Sequence, residues 1–590
     1  MSDFGVRGRI PFGEPRQSAH HKLAFVNWLV VIGSITVGLS SGCGDDTDPS
    51  RSKAQSLTHP AWFAEVTEST GLNFTYQTFI TDRRPMPSVM GGGLALFDAD
   101  GDGDLDVYLA NGSSETPIGA RGTRPAARFF RQESPLRFRD ATLESGLGDP
   151  GYGQGVAIGD FDNDGAPDLL ALNYGPDALY RNRGDGTFED VTERAGIHIP
   201  GWSVSGAFVD IDRDGFLDLY LVQYVEFDPT KSCTDSAGRP EFCGPLAHPP
   251  LHDILLRNRG DGTFEDISVS SGIASAVAAG LGVVAQDFNG DGWVDLYVAN
   301  DAYANQLWIN RGDLTFVDES IPQGAAFNMN SQAEAGMGVV SEDFDGDGLP
   351  DLFITHLVKE TNTLYRNLGG GVGFQDATGA SGLGSSSMRH TGFGTSAMDV
   401  ELDGDIDLVI ANGGVNRGAP IAGSNLPDPW PLYAESNLLY RNEGGGRFAI
   451  MDDPSFSKRQ EVSRGLVTGD LDGDGDLDMI VTNLDSPTRV YRNDAIRHGS
   501  WLRIRAIDPA LGRDAIGARI TIRDGGATRT RTVSQAVGYG SSGPVEAHFG
   551  VTQVPTSATV RWPSGESEEF PLPGVDRALT LRRGTGTPER

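Results

Sequence analysis

The sequence predicts an all-β fold: a seven-bladed β-propeller with cation-binding hairpin loops, followed by a small C-terminal β domain. Three observations carry that prediction. A nine-residue pattern, Asp-x-Asp-x-Asp-Gly-x-x-Asp, recurs seven times along the 590 residues. Strand-like runs surround each copy, giving four short strands per repeat, which suits a radial array better than a sandwich. The last repeat lacks its fourth strand, while a matching strand stands alone near the N-terminus.

The loops start at Asp98, Asp160, Asp210, Asp287, Asp343, Asp399 and Asp470, so their period is 50 to 77 residues. Each is followed by a run such as LDVYLAN, PDLLALN or VDLYVAN, then in most repeats by LYRN or LWIN, a GDGTF-type turn and a strand such as FEDVT. After VYRN at Val490–Asn493 no such strand follows. FAEVTESTGL (Phe63–Leu72) instead copies FEDVTERAGI (Phe188–Ile197), as required if the first strand completes the last blade. The propeller is expected over residues 61–495. Beyond it the loops stop, and residues 496–583 read as a separate β domain with a disordered tail at 584–590.

Composition agrees. The 79 Gly and 33 Pro indicate many turns, and the length exceeds what one hydrophobic core serves. The formal charge of −34, from 81 acidic and 47 basic residues, would repel nucleic acid and anionic lipid as main partners. At the N-terminus, Arg9, Arg16 and Lys22 precede the apolar run LAFVNWLVVIGSITVGLS, the order of an export signal over residues 1–43. Its end, LSSGC, resembles a bacterial lipoprotein processing site with Cys43 as the lipidated residue, although Ser40 stands where an aliphatic residue is usual. Plain cleavage and a retained anchor are the other readings. Residues 44–60 form a linker, and the expected location is the cell envelope or outer surface, or secretion.

Asp-Gly clusters form turns readily, so one loop would prove nothing. Seven copies with acids at the same positions point instead to a hard cation, which takes oxygens from alternate residues of a tight loop. The candidate ligands are Asp98, Asp100, Asp102 and Asp106; Asp160, Asp162, Asp164 and Asp168; Asp210, Asp212, Asp214 and Asp218; and Asp287, Asn289, Asp291 and Asp295. They continue with Asp343, Asp345, Asp347 and Asp351; Asp399, Glu401, Asp403 and Asp407; and Asp470, Asp472, Asp474 and Asp478. These include 27 carboxylates, and up to seven structural Ca²⁺ would take the net charge from −34 to about −20. The loop with Asn289 is the weakest on charge, and that with Glu401 the oddest in geometry. An EF-hand is excluded, because its acid at position 12 is replaced by residues such as Leu109, Leu221 and Ile354.

These repeats resemble the FG-GAP/VCBS repeats of the integrin α-subunit propeller. The tail, through IGARI, HFG and WPSG, resembles the ASPIC/UnbV module found beside such repeats in the cartilage acidic protein family. Together the resemblances span Phe63 to Arg583. They depart at AVGYGSS, where the family has a more hydrophobic segment, and they imply calcium binding but no catalytic residue.

Other signals carry less. The RGD tripeptides at Arg183, Arg259 and Arg311 all fall in the same repeat turn. Cys233 and Cys243, in one insertion of an exported chain, suggest a local disulfide. His356 and His390 are isolated, and no phosphate loop, nucleophile elbow or zinc-protease helix occurs. The expected function is therefore a monomeric, non-catalytic binding or scaffold protein for a protein or glycan partner, touching membrane only through a lipid anchor. A calcium-dependent polysaccharide lyase or hydrolase is the alternative, and an envelope assembly factor acting through the C-terminal domain a third reading. Recognition is expected opposite the Asp loops, where the insertions Tyr224–Leu255 and Asn412–Asn437 would expose Phe227, Phe242, Trp430 and Tyr433.

Overall fold

The computed structural model describes residues 61–112 and 127–589; the export signal expected over residues 1–43, with Cys43, lies outside them. The chain lays down seven antiparallel four-stranded sheets in succession. The second is typical: Gly153–Gly159, Asp168–Asn173, Ala178–Asn182 and Phe188–Asp190, each strand paired with the one before. Burial explains the order. The first two strands are buried along their whole length, whereas the fourth, Phe188–Asp190, buries only its phenylalanine. Apolar runs thus lie inside and alternating runs outside.

First strands of successive sheets pack against one another, and that of the seventh sheet, Ser463–Gly469, packs against that of the first, Leu94–Phe97. The seven sheets therefore surround an axis, in a propeller-like ring. The seventh sheet takes its outer strand from the other end of the sequence: Phe63–Glu65 pairs with Ser486–Asn493, Phe63 opposite Asn493. Asp453 Oδ2 accepts the Trp62 and Phe63 amides at 2.7 and 3.2 Å and anchors that strand.

Neighbouring sheets are also joined by a recurrent clamp. The Asn ending each third strand donates its side-chain amide to the carbonyl of the second loop residue in the preceding sheet. The pairs are Asn182 to Ala99, Asn258 to Phe161, Asn310 to Ile211, Asn367 to Phe288, Asn442 to Phe344 and Asn493 to Val400, all 2.8–3.0 Å. Gln132 completes the circle by donating to Leu471 O at 2.7 Å. Each such bond is worth about 1 kcal/mol net, and more to lose, because its acceptor would be left buried and unpaired.

The C-terminal residues form two further sheets. Ser500–Asp508 pairs with Ala547–Val551 and, in parallel, with Arg577–Arg582. Arg519–Asp524 pairs with Ala527–Thr532 and Ser557–Arg561, with Ser567–Pro571 beyond. Leu502, Ile504, Ile520, Ile522, Phe549, Val560 and Trp562 fill the space between. Two expectations need correction. The tail is ordered into a strand, Thr587–Pro588 opposite Glu568–Glu569, because the Glu568 carboxylate accepts the Gly584 and Gly586 amides. Nor is the module separate: Ala536–Val537 and Ser541–Ser542 extend the first sheet of the ring, Ser542 lying opposite Ala95.

Candidate metal centres

Each Asp loop links the first and second strands of its sheet, and the backbone dictates its sequence. Positions 4 and 6 are left-handed in all seven loops. Position 6 is always glycine (φ +88° to +97°), while position 4 admits Asn163, Arg213 and Leu402. The first Asp accepts the amide of position 6, as in Gly103 to Asp98 at 3.1 Å and Gly215 to Asp210 at 3.1 Å. The ninth is held by two amides. One comes from position 2 (Phe161 to Asp168 Oδ2, 3.0 Å), the other from the clamp Asn (Asn182 to Asp168 Oδ1, 2.8 Å).

The acids converge. Oxygens of Asp98, Asp100 and Asp102 lie within 4.8 Å of one another, as do those of Asp160, Asp162 and Asp168, of Asp210, Asp212 and Asp218, and of Asp343, Asp345 and Asp347. Buried Oδ1 atoms of Asp100, Asp162 and Asp210 have no hydrogen-bond partner. Burial raises the ninth Asp throughout, to about 7 for Asp106 and about 8 for Asp218, Asp295 and Asp351, despite the amides that favour its ionised form. Crowded, partly unpartnered carboxylates of this kind suit a hard divalent cation with oxygen ligands at ~2.3–2.6 Å.

An arginine from the third strand, opposite the ninth Asp, faces position 3 in five loops: Arg131 to Asp100 at 3.3 Å, Arg257 to Asp212 and Arg441 to Glu401 at 2.6 Å, with Arg181–Asp162 and Arg366–Asp345 equally close. In the fourth sheet acid and base are both replaced, by Asn289 and Ile309, and Asn289 Nδ2 donates to Asp291 Oδ2 at 2.9 Å instead. The sequence contained this pattern in LYRN against LWIN, but its partner was not evident.

The C-terminal module lies over this end of the ring. Carbonyls of the position-6 glycines accept its side chains: Gly215 from Arg513 at 2.9 Å, Gly348 from Arg519 at 2.7 Å, Gly404 from Arg529 and Gly475 from His548 at 2.9 Å. Burial pushes His548 down to about 4, so the ring is neutral and its Nε2 carries the donated proton. Arg561 reaches Asp287 at 3.2 Å, and Arg503 reaches Asp470 at 3.3 Å. The AVGYGSS segment enters the axis. Gly538 exchanges two amide bonds with Val339 at 3.1 Å, and Gly540 O accepts the Val156 amide at 3.0 Å. Tyr539 donates to Met90 O at 2.5 Å and meets Phe393 edge-on. Small residues are required here, since a Cβ on Gly93 would come within 2.1 Å of Gly540 O. Arg464, fully buried below, lies on the Phe393 ring and donates to Val89 O and Gly413 O; burial lowers it to about 9.

At the opposite end the two insertions meet, correcting the expectation of exposed aromatics. Phe242 stacks on Trp430 and meets Tyr433 edge-on, and Tyr433 donates to Glu241 at 2.5 Å. Phe242, Trp430 and Tyr433 are buried, and Phe227 packs on Trp202 and Tyr174. Cys233 and Cys243 are paired, Cα atoms 5.2 Å apart. His356 is buried 3.8 Å from Glu334, and the three Arg-Gly-Asp sequences form the turns before the fourth strands of the second, third and fourth sheets, Arg183 N donating to Thr187 O. Among the described residues no helix is long and apolar enough to cross a membrane.

The sequence profile of the FG-GAP-like repeat matches residues 98–171, 160–221, 287–354, 343–410 and 399–481, and that of ASPIC and UnbV matches 509–588. Cartilage acidic protein 1 of Homo sapiens is 26% identical over 362 residues, covering 51% of this chain and 53% of its own length; that of Xenopus tropicalis is 26% identical over 350 residues, covering 56% and 42%. The chain thus spans about half the length of these curated relatives. Similar solved structures include an Agrocybe aegerita lectin recognising non-reducing terminal N-acetylglucosamine (TM-score 0.37, 16% identity, 67% of this chain and 86% of that one). PorZ, a surface component of the type-IX secretion system of Porphyromonas gingivalis, has TM-score 0.38 and 11% identity over 82% of this chain and 59% of its own.

Proposed function

Because the chain belongs to the family of FG-GAP-like repeat proteins with a C-terminal ASPIC and UnbV module, we propose that it is an exported seven-bladed propeller, loaded with structural calcium, that serves as a non-catalytic binding scaffold. The convergence of unpartnered carboxylate oxygens in the loops carries the calcium reading. Calcium in each loop would neutralise acids that otherwise repel one another, and so hold first and second strands in register. The residues holding it would be positions 1, 3, 5 and 9 of each loop.

The scaffold role is supported by where the chain spends its own contacts. The loop end is covered by the C-terminal module and the axis is filled by side chains, so the opposite end and the rim are the surfaces left for a protein or glycan. The paired insertions form a rigid platform there, with exposed residues such as Leu246 (69% exposed) above a buried aromatic base. The test is capture of envelope proteins and glycans by the mature chain in calcium, compared with Leu246→Glu. Lost capture with an unchanged melt would place recognition on the platform. Unchanged capture would move it to the rim, and turnover of a polysaccharide by the wild type would overturn the non-catalytic reading.

A further inference from the structure

The sixth loop differs from the other six. Its position 3 is Glu401, one methylene longer than Asp, and its position 4 is Leu402, held left-handed at φ +60° where four loops have glycine. Over it runs the linker from the ring to the C-terminal module. His498 N donates to Glu401 O at 2.7 Å, and at Gly499 a Cβ would come within 2.3 Å of Leu402 O, so the linker is pressed onto the loop. The result is a mixed donor set: ligand atoms of Glu401, Asp403 and His498 all lie within 4.8 Å of one another.

The Glu401 carboxylate is 2% exposed. Its Oε1 lies 2.6 Å from Arg441 Nε, out of line for a hydrogen bond, and its Oε2 has no hydrogen-bond partner. Cations from the linker and the module do not fill the gap. Arg497 is committed to Asp474 and Asp476 of the seventh loop, and Arg529 donates to the carbonyls of Gly404 and Asp403. Three further acids, Asp399, Asp403 and Asp407, therefore gather around the buried, partly unpartnered Glu401 carboxylate, with the His498 imidazole beside it.

Calcium takes six to eight oxygens and gains little from a nitrogen donor, whereas imidazole with carboxylates is a donor set of zinc-class ions. Two ligands of one such ion lie at most about 4.2 Å apart, so closure asks only a small contraction of the observed cluster. We propose that the sixth loop binds a zinc-class divalent ion through Glu401, Asp403 and His498, making it chemically distinct from the all-oxygen loops. Because His498 belongs to the linker, the ion would also fasten the linker to the ring. This rests on reading the Asp loops as cation sites and changes the identity of one of them.

Cobalt(II) alone is a suitable probe, since its visible absorption reports a bound nitrogen ligand. Metal-free full-length chain, saturated with calcium, should take up one Co²⁺ with that signature. His498→Gln and His498→Ala should weaken uptake by roughly tenfold or more, with calcium content and melting in calcium unchanged. His498 anchors the linker through its backbone, so neither variant should unfold the protein. Equal Co²⁺ affinity in the variants, no Co²⁺ uptake by the wild type, or a calcium content one ion lower in the variants would overturn the proposal. Co²⁺ uptake that depends on His498 in a chain holding no calcium would support it and overturn the calcium reading of the other loops instead.

Discussion

At one end of the ring, seven copies of one loop crowd carboxylates together and meet them with arginines from the third strands and from the C-terminal module. At the other, two unlike insertions stack Phe242 on Trp430 and pair their own charges, Arg417 lying 3.7 Å from Asp235 and 3.8 Å from Glu241. The first end is regular and crowds like charges together; the second is irregular, with an aromatic base and charges paired within it. A single disc thus has one end whose stability should follow the supply of divalent cation and one that should not depend on it. That difference can be broken or sharpened by experiment.

Chelation should have the largest effect. At a hundredfold excess over Kd each bound ion adds about 2.7 kcal/mol, so removing several with EGTA should lower the melting midpoint by roughly 20 °C for a chain of this size. An unchanged midpoint, with no metal by elemental analysis, would end the contrast between the two ends. Next is pH in metal-free protein. Burial holds Asp218, Asp295 and Asp351 near 8 and Asp106 and Asp399 near 7, against 3.8 for an exposed acid. Between about pH 4 and 8 the folded chain keeps protons that the unfolded chain has released, so stability should fall as pH rises through that window. Denaturant melts at pH 5 and pH 8 measure it, and saturating calcium should abolish the difference.

The opposite end gives the complementary test. Trp430→Ala should cost about 3–5 kcal/mol, by the same amount in calcium and in EGTA; a loss seen only in EGTA would mean that the ends are coupled. The smallest effect should come from the clamps. Asn310→Ala leaves the Ile211 and Val294 carbonyls without their donor and should cost about 1–3 kcal/mol by denaturant melt. A value near zero would show that the clamp is incidental to ring stability.

The loops were legible because their chemistry is local: three or four acids and a left-handed glycine within nine residues, written seven times. The pairing of Phe63–Glu65 with Ser486–Asn493 was legible because repetition left a strand missing at one end and spare at the other. Contacts made once were not. Nothing near Phe242 announces Trp430, which lies far along the chain, so aromatic insertions that looked free for recognition proved to be packed against each other. The arginines over the glycine carbonyls were equally silent, because a backbone oxygen leaves no mark in the sequence. AVGYGSS stood out as a departure, but only the axis explains it: glycines where Gly93, Gly155 and Val204 crowd the backbone, and a tyrosine to reach Met90. The tail misled because Thr587–Pro588 is too short to show alternation.

One substitution in the clamps has a mechanical meaning. Six joints of the ring lie between sheets that follow one another in the chain, and each uses asparagine. The remaining joint, between the seventh sheet and the first, is continuous too, through the residues that follow Phe63–Glu65, but there the arm is Gln132, reaching Leu471 O. One extra methylene gives that arm more reach and more slack, so the joint tolerates a wider gap than its six neighbours. Variation accumulated around a circle must be absorbed somewhere, and this longer arm adjoins the one sheet whose strands come from both ends of the ring's sequence.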